Sequence, residues 1–426
     1  MLPQRRRLLW LGLLFLAPVF FPAKVQGQAG IYATPSLTIT EFYSDNIEFT
    51  PSNRLKDWVT RIGPGLQVGY ESAPLTLLGG YNFDAEIFAH LSDFTTSMAR
   101  QKAFLDFRYL PVRPLTLSLK GEYIETQTPG ELNVLSGVPT GRSQAQRFLF
   151  EPSVAYRFDR LTTGTLGYTF TKDEAGDLTT DTHVGKLAID RQITRLDHLG
   201  LEYIFTQFLF RGEELFILSK GDTKLPSPLP VCTGAGAIPC SISVFRGRDT
   251  VLVHSIGPRW TRELTPLTTV SLRVGPRFSE GSVDAEVDAT IRHRFKSGEV
   301  SFTYARTQAS VVGESGTVDT DGVTLEAKYR ILPPLEISAA PSFHTNKQGT
   351  AQSDVYRIKL EANYRLYSWL SLVGSYEWVH QNGILLPPAV LAFPAELAAA
   401  DFGRHVNTTQ NVFALSLVGK FRTRLY

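Results

Sequence analysis

The sequence predicts an all-β protein: a transmembrane, up-and-down antiparallel β-barrel of about 18 strands, with short periplasmic turns and long extracellular loops. Three observations lead there. Apolar and polar residues alternate along most of the 426-residue chain, the period of a strand with two unlike faces. Beyond the N-terminus no apolar run is long enough to cross a bilayer as a helix. Aromatic residues gather at the ends of the alternating segments, as amphipathic rings do at lipid headgroup level. The composition, 43% hydrophobic and 20% charged, is that of a folded chain, and a net charge of +2 gives no footing for nucleic acid.

The first segment reads as a signal peptide. Arg5, Arg6 and Arg7 precede an apolar stretch from Leu8 to Phe21, and small residues follow. Cleavage is expected after Gly27, with Ala29 as the alternative, so the mature chain starts at about residue 28. An N-terminal membrane anchor is the competing reading; the apolar stretch is too short and too broken by proline to span well. An exported chain with Cys232 and Cys240 in VCTGAGAIPC points to a short-range disulfide. That stretch is no dinucleotide fingerprint, because Pro239 stands where a third glycine belongs.

The strands follow in order. Alternating segments begin near Tyr32, Trp58, Leu75, Met98, Leu115 and Arg147, then near Thr163, Thr180, His198, Val251, Leu267 and Val283. The rest begin near Val300, Val323, Leu335, Val355, Trp369 and Thr409. The second-phase residues are polar or charged, as in Arg357, Lys359, Glu361, Asn363 and Arg365. Tight turns such as RYLPVRPLTL and YRILPPLEIS alternate with longer segments. Those longer segments are SDNIEFTPSNRLK, TPGELNVLSGVPTGRSQAQ, the stretch 211–249 and the stretch 381–407. An even strand count leaves both termini on the short-turn, periplasmic side. The last strand alternates through Phe413, Leu415, Leu417 and Phe421 to Leu425, so the final Tyr426 falls in the opposite phase.

Residues 283–295, VDAEVDATIRHRF, carry the argument about which face is wet. Val283, Ala285, Val287, Ala289 and Ile291 share one face; Asp284, Glu286, Asp288, Arg292 and Arg294 share the other. Some 18 strands enclose more volume than side chains can fill, so the charged face lines a hydrated lumen. A charge on the lipid face would cost about 2–4 kcal/mol at the midplane. An open sheet edge would strand unpaired backbone groups in hydrocarbon, so the sheet must close.

By the same phase the lumen is lined by Arg61, Arg100, Lys102, Arg108, Arg147, Arg157, Asp284, Glu286, Asp288, Arg292, Arg294, Glu326, Lys328, Arg330, Arg357, Lys359, Glu361, Arg365, Lys420, Arg422 and Arg424. The strands near the C-terminus are mostly basic, which predicts a mild preference for anionic solutes. A wall of mutual ion pairs is the alternative. The stretches Arg211–Asp249 and Gly383–Ala400 are expected to narrow the mouth; GILLPPAVLAFPAELAAA is too apolar for a loop in water.

No motif promises an enzyme, a metal or a cofactor. There is no nucleophile elbow, phosphate loop or helical zinc pair. His254 and His293 fall in the outward phase, where interfacial packing is expected rather than a hydrolase site. Asp284, Glu286 and Asp288 stand roughly 6.6–7 Å apart along one strand face. That would suit an inverting glycosidase pair or calcium, but charged walls are ordinary in wide barrels.

The stretches ATPSLTITEFYSDNI, DWVTRIGPGLQVGY and GRSQAQRFLFEPSVAYRF resemble a family of bacterial outer-membrane β-barrel proteins found with exopolysaccharide and PEP-CTERM (exosortase) loci. The resemblance implies a Gram-negative outer membrane, surrounding lipid and the barrel-insertion machinery. It also implies polysaccharide cargo and a periplasmic export partner. The competing function is a structural or adhesion barrel with an occluded lumen.

Overall fold

The computed structural model describes residues 30–218, 240–349, 351–385 and 404–424. The expected signal peptide (1–27), Cys232 with its bond to Cys240, and most of Gly383–Ala400 lie outside these residues, as does Tyr426. The first strands are β1 (Gly30–Ser44), β2 (Asp57–Glu71), β3 (Leu75–Phe88), β4 (Thr96–Val112), β5 (Leu115–Thr126) and β6 (Ala145–Arg157). Next come β7 (Thr162–Ala175), β8 (Leu178–Gln192), β9 (Asp197–Leu218), β10 (Cys240–Thr265), β11 (Thr268–Ser279) and β12 (Ser282–Phe295). The last are β13 (Gly298–Ser310), β14 (Thr317–Leu332), β15 (Leu335–Gln348), β16 (Ala351–Tyr367), β17 (Leu370–Leu385) and β18 (Arg404–Lys420).

Each strand pairs antiparallel with the next, and β1 also pairs with β18 (Ile39 opposite Leu417), so the sheet closes. Thr423–Arg424 resumes the β18 edge beside Tyr32 and Ala33 after a short break. The result is an 18-strand barrel with every ladder satisfied, the condition for crossing hydrocarbon.

The register fixes the two faces. Val287 lies opposite Val274, Ala289 opposite Leu272 and Ile291 opposite Val270; Asp288 lies opposite Arg273 and Asp284 opposite Arg277. Large apolar side chains are exposed over the whole outer phase, Leu325, Leu360 and Leu415 among them. Charge closes this belt at the long-loop rim, where the outward Arg306 and Asp321 pair at 3.8 Å. Below them Val323, Leu325, Ala327 and Tyr329 face out, so the belt on β14 runs for about ten residues, what a tilted strand needs to cross a bilayer.

Tyr168 and Tyr203 set their hydroxyls against His183 (2.7 Å) and His254 (2.8 Å) on this outer face. His293 packs on Phe295 and bonds Thr268. These are girdle contacts, amphipathic rings satisfied at the membrane edge.

The short-turn rim has tight connections throughout, several built on proline: Arg157 N–H donates to Pro114 O and Arg365 N–H to Pro334 O. At the other rim Glu280 and Gly281 both take positive φ, 48° and 81°, the two-residue turn whose twist suits a hairpin. Two boundaries differ from the sequence reading. Arg211–Leu218 and Cys240–Asp249 pair as a continuation of the β9–β10 hairpin rather than forming a loop. Likewise Leu385 pairs with Arg404, which carries β17 and β18 into the expected loop 381–407. Beyond the bilayer no lipid enforces alternation, so the pattern fades while the ladder continues.

Candidate functional site: a constriction in the bore

The segment between β5 and β6, residues 127–144, turns into the barrel instead of outward. Its partners lie on β13–β15, and β14 is eight strands from β6 in a ring of eighteen, close to the opposite wall. Asn133, 3% exposed, accepts the Val312 N–H with its side-chain oxygen (2.8 Å) and donates to Val138 O (3.1 Å). Asn346 on β15 donates to Ser136 O (2.9 Å) and accepts the Thr320 hydroxyl (2.7 Å). Val138 packs on Ala309, Val311 and Val318, and Leu132 on Ile124, Ala145 and Val312. These contacts satisfy the loop's polar backbone inside the barrel, without which its burial would be costly.

The near wall clamps the loop by charge. Arg142 donates to Glu86 (2.5 Å), which also takes Arg61 (2.5 Å), and Arg142 lies over the Phe88 ring. Arg147 grips Asp173 with two bonds (2.6 and 2.8 Å) while donating to Leu132 O. Arg100 holds Glu131 at 3.1 Å. With two carboxylate-bound arginines at its base and amide bonds at its far end, the loop is fixed at both ends.

Its tip exposes Val134 and Leu135. Leu135 faces a cavity of about 460 Å³ whose other walls include Lys186, Glu202, Arg259, Arg273, Glu286 and Asp288. There Glu202 gathers Lys186 (2.6 Å), Arg273 (2.8 Å) and Arg259 (3.4 Å). Arg259 also holds Asp190, and Arg277 binds Asp319 (2.5 Å) beside Asp284 and Glu286. The constriction is thus an aliphatic tip facing a band of linked charges. In that band carboxylates match or outnumber cations, so the eyelet itself carries no positive excess.

The lumen residues expected from the sequence stand on inward positions of the ladders, except Arg422, which lies in the break after β18, and Arg424, whose side chain is outside the described set. Arg61, Arg100 and Arg147 meet at the loop base, and Asp284, Glu286 and Asp288 at the charged band. Glu286 is held by Arg273, Arg277 and the Thr307 hydroxyl and Asp284 by Arg277, so both serve as wall counter-ions, while Asp288 faces the cavity. Among the described residues no group of three His, Cys, Asp or Glu is placed to hold a metal. Sequence reading missed Asn133, Leu135, Arg142, Glu202 and Asn346. Glu202 alone was legible, as the single charge between Leu201 and Tyr203.

Gly137 makes the docking testable. Its φ is +65°, and an added Cβ would sit 2.6 Å from the His344 ring. Gly137→Ala is expected to weaken loop docking by about 1–2 kcal/mol through backbone strain alone. The readout is tryptic cleavage after Arg142, which should speed up; unchanged protection would mean the loop is not held there.

No known protein-family description matches the chain, and no curated protein is recognisably similar. Solved barrels superpose over most of its length. OccAB4 of Acinetobacter baumannii gives a TM-score of 0.47 at 10% identity, covering 92% of this chain and 98% of that one. OpdQ of Pseudomonas aeruginosa gives 0.43 at 10%, covering 93% and 98%. A mutant ferric enterobactin receptor, PfeA, of the same species gives 0.43 at 10%, covering 91% and 80%. At this level the likeness says nothing about what the bore of this chain carries.

Proposed function

We propose that the protein is a channel of a Gram-negative outer membrane that passes polar solutes through a bore narrowed by the β5–β6 loop. The observation that carries this reading is the cavity between Leu135 and the Glu202 band, walled on the inner face of β8–β12 by Lys186, Glu202, Arg259, Arg273, Glu286 and Asp288. The short-turn rim, where β1 begins beside the last described residues, then faces the periplasm. The resemblance to exopolysaccharide-associated barrels supports polysaccharide as cargo, delivered by a periplasmic export partner. Outer-membrane lipid covers the apolar belt, and the barrel-insertion machinery places it there.

Reconstitution into planar bilayers tests this. Discrete conductance steps are expected, with a reversal potential in a salt gradient shifted modestly toward the anion. Clear cation selectivity would defeat the anionic preference. A folded barrel with no conductance would defeat the channel. The same loop gives the alternative its support: residues 127–144 reach into the barrel and pack on Val311 and Val312, as an occluded structural or adhesion barrel requires. Silence in bilayers would favour that reading.

A further inference from the structure

The cations of the bore fall into two populations. In the long-loop half they are paired and mostly buried: Arg142 on Glu86, Arg147 on Asp173, Arg273 on Glu202, Arg277 on Asp319. Near the short-turn mouth Arg294, Arg330 and Arg422 are paired too, on Glu299, Glu336 and Glu71, but Arg108, Arg157, Lys328, Arg365 and Lys420 are exposed. None has a carboxylate within 4 Å among the described residues. The register explains this. The residue opposite Arg108 is Ser118; opposite Arg157, Thr163; opposite Lys328, Ser338; opposite Arg365, Ser371; opposite Lys420, Ser36. Glu299, the one acid facing Lys328 across the ladder, is taken by Arg292 and Arg294.

All five cations stand within four residues of the short-turn end of an even-numbered strand. They therefore form a collar of two arcs, β14–β16–β18 and β4–β6, with a short gap across β2 and a wide one between β6 and β14. Each pairs a positive group with a neighbouring hydroxyl, and both donate hydrogen bonds to an anionic oxygen. Strands two apart are about 10 Å apart. One small anion cannot bridge that gap; a chain with repeating anionic groups can. The side chains point into the bore, so the ligand must enter as a thin strand.

We propose that the short-turn mouth is a binding site for a linear polyanion, held by Arg108, Arg157, Lys328, Arg365 and Lys420 before it reaches the constriction. The site deepens the channel reading and rests on it only for the polymer's onward route.

The test is equilibrium binding to the detergent-solubilised full chain, read as fluorescence anisotropy. The probes are fluorescein-labelled hexagalacturonate, a polyphosphate of matched length, and neutral maltohexaose. One or both anionic probes should bind, which names carboxylate or phosphate as the preferred group, while maltohexaose should not. The variant with all five cations changed to glutamine should lose affinity at least about tenfold, since several charge-assisted bonds go together. The affinity should also fall as salt rises from about 0.05 M to about 0.5 M. Arg306→Gln, on the outer face, should change nothing. The removed groups have no partners to strand, and circular dichroism checks that the barrel persists; the milder R157Q/R365Q pair gives a smaller loss if the quintuple variant fails to fold. Absence of anion binding, or equal affinity in wild type and variant, would overturn the collar. Conduction without binding removes the collar alone; binding without conduction removes the channel alone.

Discussion

Replacing Asn133–Val138 by two glycines is expected to raise single-channel conductance roughly threefold or more, because the narrowest cross-section dominates the resistance of a pore. The excised residues carry Leu135 off the Glu202 band and remove the bonds from Val312 and Asn346 that hold the loop to the far wall. The barrel should survive, since its ladders do not pass through this segment. Ala309, Val311 and Val318 lose the cover of Val138, but Leu132 stays to shield Ile124 and Ala145. Heat-dependent migration in gel electrophoresis would show that the shortened chain remains folded. Conductance within error of the wild type would place the true bottleneck elsewhere, with the stretches 219–239 and 386–403 next in line.

The second large effect concerns the faces of β12. Ile291→Arg, opposite Val270 and Phe302 in the middle of the apolar belt, puts a guanidinium among acyl chains and should cost about 2–4 kcal/mol. Thr290→Arg, the neighbouring residue on the inward face, should cost under about 1 kcal/mol, because the lumen solvates the charge. Thr290 gives up only a long hydroxyl contact with Thr303 (3.3 Å). Chemical denaturation of both variants refolded into lipid vesicles gives the comparison. Equal costs would mean that the two phases do not meet different solvents.

The fold was legible because the solvent on each face is different. Every strand start read from alternation falls close to a strand of the barrel, and Val283–Ile291 shows why: lipid rejects Asp284, Glu286 and Asp288, and the period of two follows. Where that selection ends, so did the reading. Alternation starts β10 near Val251, yet pairing begins at Cys240, in a stretch that stands clear of the bilayer. The constriction was the larger omission. TPGELNVLSGVPTGRSQAQ has the glycine, proline and polar content of a solvated loop, and nothing in it marks a segment buried in the bore. Its partners Val312 and Asn346 lie 179 and 210 residues away in sequence from the groups they bind. No local pattern encodes such contacts; they follow from barrel closure, which brings β5 and β14 face to face. The expectation of a basic bore needed the same information. Phase places Arg273 and Arg277 inside, but only the register shows that Glu202, Glu286 and Asp319 meet them there.

The most direct measurement is a cysteine scan from Val283 to Ile291, in a chain with Cys232 and Cys240 changed to serine, refolded in vesicles. A charged, water-soluble thiol reagent should label the inward positions 284, 286, 288 and 290 quickly and the outward positions 289 and 291, inside the belt, slowly or not at all, while 283 and 285 stand beyond the Arg306–Asp321 pair and should label as well. A lipid-dissolved spin quencher should reach positions 289 and 291. Uniform labelling of all nine positions by the water-soluble reagent would mean that no face of this strand touches lipid, and the account of the barrel as a membrane-spanning channel would be wrong.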